Sequence, residues 1–174
     1  MSRNKLIVAA AMAALTLTAG CSSDSEAPAG NSAGAAKKAP VAVQIGQPVT
    51  VESAGSTATF TLSKPAIRED AQNGIKPENG AFLVAFVQVE ATKGKVTCPC
   101  DLPLVQADGT VRERGFGSFA DLPPFEPAEV VAGKPVEGWV VWDLPKDKID
   151  GAKVQLKIGP QSAPQEFGSW TVKL

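Results

Sequence analysis

Two of the three cysteines in this 174-residue chain sit one residue apart, in the run Thr97-Cys98-Pro99-Cys100-Asp101. Sulfurs at that spacing can close a local disulfide, work as a redox pair, or offer thiolates to a soft ion such as Cu(I). In an extended chain, residues i and i+2 lie near the upper limit of Cα separation for a disulfide. A Cys98–Cys100 bond therefore needs a local bend, which the fixed φ of Pro99 can supply. The loop it closes is so short that little entropy is removed from the unfolded chain. Zinc is a poor fit, because two thiolates leave the site incomplete and the chain contains no histidine to finish it. The favoured reading is a local disulfide without catalytic role. Free thiols and a functional redox or copper pair stay open beside it.

The absence of histidine reaches further. It removes the commonest general base and both the Ser-His and Cys-His nucleophile pairs. A non-catalytic protein is expected, with carboxylate chemistry the remaining enzymatic route. Asp121, Glu126 and Glu129 cluster in the proline-rich stretch 121–129, but without the spacing of a calcium loop, so they read as a solvated loop. The run GFGSF, 115–119, is glycine-rich yet does not join a strand to a helix, which argues against a phosphate cradle. Neither a metal nor a cofactor is implied. The formal net charge of −1 offers no basic surface for nucleic acid.

Cys21 belongs to a different chemistry. Arg3 and Lys5 precede a short apolar run from Leu6 to Leu17, and Thr18-Ala19-Gly20 leads into the cysteine. A basic start, an apolar stretch too short to span a bilayer and a small-residue cleavage site make an export signal. A cysteine at the cut is the pattern of bacterial lipoproteins, in which Cys21 carries the diacylglyceryl group, with palmitate a typical chain. Residues 1–20 are then a removed signal peptide, and Cys21 with residues 22–40 is a lipidated tether. The tether lacks large apolar residues and cannot offset its ordering entropy. As a flexible coil it reaches roughly 25 Å on average. These features predict a protein anchored to the cell membrane on its extracytoplasmic face, in an oxidising compartment that suits a disulfide. The membrane is one expected partner, envelope proteins or a ligand the other, and the protein is expected to be a monomer.

Residues 41–174 remain for one domain with a single core. Apolar and polar residues alternate over 48–53, 56–63, 81–92, 102–106, 110–114, 135–145, 152–158 and 168–174, with Gly, Pro and Asp at the boundaries. The fold class is all-β: an antiparallel immunoglobulin-like β-sandwich of about seven to eight strands. Short helical turns have room only near Ile67–Gln72 or Lys146–Ile149. In 56–63, Ala58, Phe60 and Leu62 share a face. In 81–92, Leu83, Ala85, Val87 and Val89 form one face, and Phe82, Val84 and Phe86 begin the other before it turns polar at Gln88 and Glu90. Trp139 and Trp142 are three apart, so on a strand they point to opposite sides. With Val140 and Trp142 in the core, Trp139 and Val141 face outward. Phe82, Phe86, Trp139 and Val141 then form a candidate partner patch, unless the loop bearing Phe116, Phe119 and Phe125 closes over it as a second small core.

The stretches AFLVAFVQVEATKG, LPLVQADGTV and EVVAGKPVEGWVVWDLPKD occur in the order found in a family of exported actinobacterial and firmicute domains. The chain resembles that family over about Gly46 to Leu174. Gly133, Gly138, Val140, Val141, Trp142 and the Leu144-Pro145 ending carry most of the likeness. Thr92-Lys93-Gly94-Lys95 replaces an Asn-rich turn common there, and Val111 stands where an aromatic is frequent. The resemblance implies a telokin-like immunoglobulin-type sandwich, similar in fold to a mycobacterial secreted antigen and often lipid-anchored. It lends no catalytic residues.

Overall fold

The computed structural model describes residues 38–53, 55–71, 74–98, 101–115, 119–160 and 162–174. The signal peptide, Cys21, most of the tether, Pro99, Cys100 and Phe116 lie outside the described residues. Eleven strands follow along the chain: β1 Val41–Gln44, β2 Pro48–Ser53, β3 Ser56–Arg68, β4 Ala81–Lys93, β5 Lys95–Thr97, β6 Leu104–Val105, β7 Val111–Arg112, β8 Glu129–Val131, β9 Val136–Leu144, β10 Lys153–Ile158 and β11 Gln165–Thr171. No α-helix occurs among the described residues, and the turn foreseen near Lys146 is a 3-10 turn at Lys146–Lys148. The other candidate turn does not form at its start, because Ile67 and Arg68 extend β3.

Two sheets make a sandwich. One runs β1-β11-β10-β6-β7 and the other β2-β3-β4-β9, with β5 and β8 pairing separately. The pairings among these strands are antiparallel except β1 with β11, which is parallel over Val41↔Gly168 to Gln44↔Thr171. Three strands beyond the expected set, β1, β5 and β8, are only three or four residues long. Segments so short carry almost no alternation, and their pairing comes from what tertiary packing places beside them.

Alternation explains the core. Leu83, Ala85, Val87 and Val89 of β4 pack inward with Val140 and Trp142 of β9, Phe60 and Leu62 of β3, and Leu156 and Trp170 from the facing sheet. Trp142 is fully buried, and its indole Nε1–H donates to the Leu102 carbonyl at 2.8 Å. Trp170 does the same to the Gln47 carbonyl at 2.8 Å. Each indole thereby satisfies its one polar atom while its ring fills the space between the sheets. At Gly168 a Cβ would meet the Val41 carbonyl oxygen and a Val49 methyl at 2.8 Å. Only glycine lets β1 lie this close to β11.

Candidate functional site

The outer face of the β2-β3-β4-β9 sheet carries the most distinctive surface of the molecule. β4 and β9 set its register: Val84 pairs with Val141 and Phe86 with Trp139. These side chains point away from the main core because their neighbours Ala85, Val140 and Trp142 point into it.

The segment 119–125 covers part of this face. Phe119 and Leu122 pack on Ala71, Phe82, Val84 and Val141 as a second apolar cluster. Phe119 meets Phe82 edge to face, ring centroids 5.8 Å apart. Arg68 at the end of β3 bonds Asp121 at 2.7 Å and lies over the Phe119 ring. Phe82 and Val141, two members of the expected patch, are therefore buried. Phe86 and Trp139 are only half-buried and stand edge to face at 5.5 Å. Phe125 departs from expectation: it turns away from this face and joins the main core.

β9 is an edge strand, and the same segment closes its edge. The Trp139 amide donates to the Pro123 carbonyl at 2.9 Å, the Phe125 amide to the Trp139 carbonyl at 2.8 Å, and the Gly115 amide to the Val141 carbonyl at 2.7 Å. Proline-rich cover of this kind blocks strand addition by another chain. Gly138 makes the approach possible, since a Cβ there would fall 2.5 Å from the Phe125 Cα.

Between this cover and β9 lies a cavity of about 380 Å³, walled by Phe119, Leu122, Pro124, Phe125, Trp139 and Val141, with Arg114 and Glu126 as its charged lining. Arg114 donates one guanidinium N–H to the Phe125 carbonyl at 3.2 Å. On the same face, Lys64 holds its ammonium 4.9 Å from the centre of the Phe86 ring. Lys64 is also the one non-glycine residue with positive φ, +51°, among the described residues. It sits in a bulge where the β3–β4 register shifts between Ser63 and Ala66. Non-glycine residues held at such φ values concentrate where a side chain must be re-aimed. The sequence contained a signal for this bulge in Lys64-Pro65, since proline inside a long strand marks a break in the ladder. Arg114, Leu122 and Ala71 gave no comparable signal.

The other candidates fall elsewhere. Asp121 pairs with Arg68, and Glu129 pairs with Lys95 at 2.9 Å between β5 and β8. The Glu129 carboxylate holds the Lys95 ammonium above its ordinary pKa. Among the described residues no group of three or more His, Cys, Asp or Glu side chains is placed to hold a metal ion. Cys98 follows β5 directly and is 1% exposed, packed in the main core, with its amide donating to the Ala128 carbonyl at 3.1 Å. The β5–β8 pairing draws Cys98 inward. Its companion Cys100 lies outside the described residues. Two buried donors, Gln106 Nε2 and Arg112 Nε, have no hydrogen-bond partner.

No protein-family model matches the sequence, and no curated protein is significantly similar to it. Among solved structures, the fold is similar to the 1.5 Å crystal structure of MPT63, a secreted protein from Mycobacterium tuberculosis, with a TM-score of 0.55 and 16% identity. The match covers 77% of this chain and 98% of that one. At this identity the likeness concerns architecture alone. The chain is an all-β sandwich with an MPT63-like fold.

Proposed function

We propose that this protein is a lipid-anchored, non-catalytic binding module on the extracytoplasmic face of the cell membrane, using the outer face of the β2-β3-β4-β9 sheet. The observation that carries the reading is the half-exposed pair Phe86 and Trp139, held on two rigid strands beside a cavity of about 380 Å³. Aromatic anchors at the rim of a pocket are the residues on which binding energy concentrates. Export and anchoring are supported by the basic, apolar and small-residue segments ending at Cys21. Membership of the exported telokin-like family is supported by the stretches around Gly138 and Trp142 and by the sandwich itself.

The Cys98–Cys100 disulfide belongs to the same reading. Supporting it, Cys98 is a half-cystine in the structure, and an oxidising compartment would keep it so. Burial of Cys98 counts against the redox and Cu(I) alternative, because exchange and metal loading need an accessible sulfur.

Two experiments test the proposal. Cys21→Ala should leave the protein unprocessed or shed, and membrane partition equal to wild type would overturn the anchor. A photocrosslinker at position 86 should capture a partner in intact cells, while one at exposed position 153 on the opposite sheet should not. Equal capture from both positions, or none from 86, would remove the binding face.

A further inference from the structure

We infer that the cavity beside Trp139 binds a small apolar molecule bearing one carboxylate, with Arg114 taking the carboxylate and Trp139 lying against the apolar body. The inference deepens the proposed function and rests on its assignment of this face as the binding surface.

Volume sets the size of the ligand. A cavity of about 380 Å³ lies at the small end of the range for ligand pockets, roughly 300–1,000 Å³, and so suits a compact molecule rather than a peptide or a polymer. Its walls set the body of the ligand. Phe119, Leu122 and Val141 are buried apolar side chains, and the ring of Pro124 adds a stiff apolar surface. Trp139 is half-buried and completes the wall.

Charge sets the remaining group. Arg114 lines the cavity and commits one N–H to the Phe125 carbonyl, which orients the guanidinium without neutralising it. The ion pairs among the described residues engage Arg68, Lys76, Lys95, Lys146 and Lys148, and Arg114 is in none of them. Lys64 adds positive charge over the Phe86 ring of the same face, whereas Arg68 is balanced by Asp121. Glu126 is the one acid in the lining, and it is exposed. A planar guanidinium with free donors beside an apolar wall matches a carboxylate bidentately, a geometry that a lysine or a neutral donor does not reproduce.

The protein carries its own reporter. Of its three tryptophans, Trp142 and Trp170 are buried at 0% and 1% exposure, so the half-exposed Trp139 dominates any response of the fluorescence to ligand. The mature full-length protein should be titrated with 3-phenylpropionate and, separately, with the neutral 3-phenylpropanol. Saturable fluorescence change is expected with the acid, and at least tenfold weaker binding with the alcohol. Arg114→Gln should weaken the acid at least tenfold and leave the alcohol unaffected, whereas Arg114→Lys should keep part of the preference. Urea midpoints check that both variants are folded, and the acid-to-alcohol comparison on wild type stands without any variant. Equal binding of acid and alcohol, a linear response to both, or full affinity in a folded Arg114→Gln variant would overturn the inference. If that happens while position 86 still captures a partner in cells, only the carboxylate ligand is lost; if neither signal appears, the binding face itself is wrong.

Discussion

The two faces of the β2-β3-β4-β9 sheet are built from the same strands and have opposite characters. On the inner face, Leu83, Ala85, Val140 and Trp142 meet side chains of a second sheet, and every one is essentially inaccessible. On the outer face, Phe82, Val84 and Val141 are covered by Ala71 and the short segment around Phe119 and Leu122, and Phe86 and Trp139 are left half-buried. A sheet packed on another sheet excludes water over its whole area. A loop laid across a sheet cannot, because its own backbone must stay hydrated or find partners. The outer face is therefore where a cavity and strained Lys64 are tolerated.

The sharpest way to break this contrast is to truncate the two tryptophans of β9 separately. Trp142→Ala should cost about 3–5 kcal/mol, the usual price of removing a buried large aromatic, and urea unfolding measures it. Gly138→Ala comes next. Its Cβ would lie 2.5–2.7 Å from backbone atoms of Pro124 and Phe125, which cannot yield as a flexible side chain would. The cover should lift at a cost of about 2–3 kcal/mol, and hydrogen exchange at the Phe125 and Trp139 amides should rise. Unchanged exchange would show that the cover is not held by this approach.

Cys98→Ser probes the inner region at a third point. Placing a hydroxyl among the apolar side chains around Cys98, with loss of its disulfide, should cost about 1–2 kcal/mol. A midpoint equal to wild type would put Cys98 at the surface. Trp139→Ala should cost less than about 1 kcal/mol, since a half-covered ring gives up little buried area. If it destabilises as much as Trp142→Ala, the outer face is core and not a binding surface.

The smallest effect is electrostatic. At the β6–β7 turn, the Thr110 amide donates to the Asp108 carboxylate at 3.0 Å, and this bond with the nearby Lys148 holds the Asp108 pKa below the usual carboxylate range. A depressed folded-state pKa gives stability that is present above the ordinary carboxylate pKa and is lost as pH falls through the lowered one. NMR titration should place Asp108 below the ordinary carboxylate range. Asp108→Asn should remove its part of the acid dependence below about pH 4. A normal Asp108 titration would mean the turn is not closed in solution.

Much of this was written in the chain order. The alternation in 48–53, 81–92 and 152–158 placed β2, β4 and β10 within about a residue, and the spacing of Trp139 and Trp142 assigned them to opposite faces. Long strands with one buried face declare themselves because a period of two is hard to mistake over many residues. The eight expected strands are all present, although 102–106 and 110–114 shrink to the two-residue β6 and β7.

What the sequence alone determined, then, is the class of fold, the inward and outward sides of its long strands, and the composition that excludes histidine chemistry. The tertiary structure decided the rest. It made β1 run parallel to β11, placed Cys98 in the core, sent Phe125 inward while Phe119 stayed out, and set Arg114 beside Trp139. The reason is physical. Periodicity records how a residue relates to its own strand, but loop trajectories and short edge strands are fixed by contacts between residues far apart in the chain. Residues 119–127 have no period to read, and their hydrogen bonds to β9 help determine which of their side chains cover the sheet and which line a cavity.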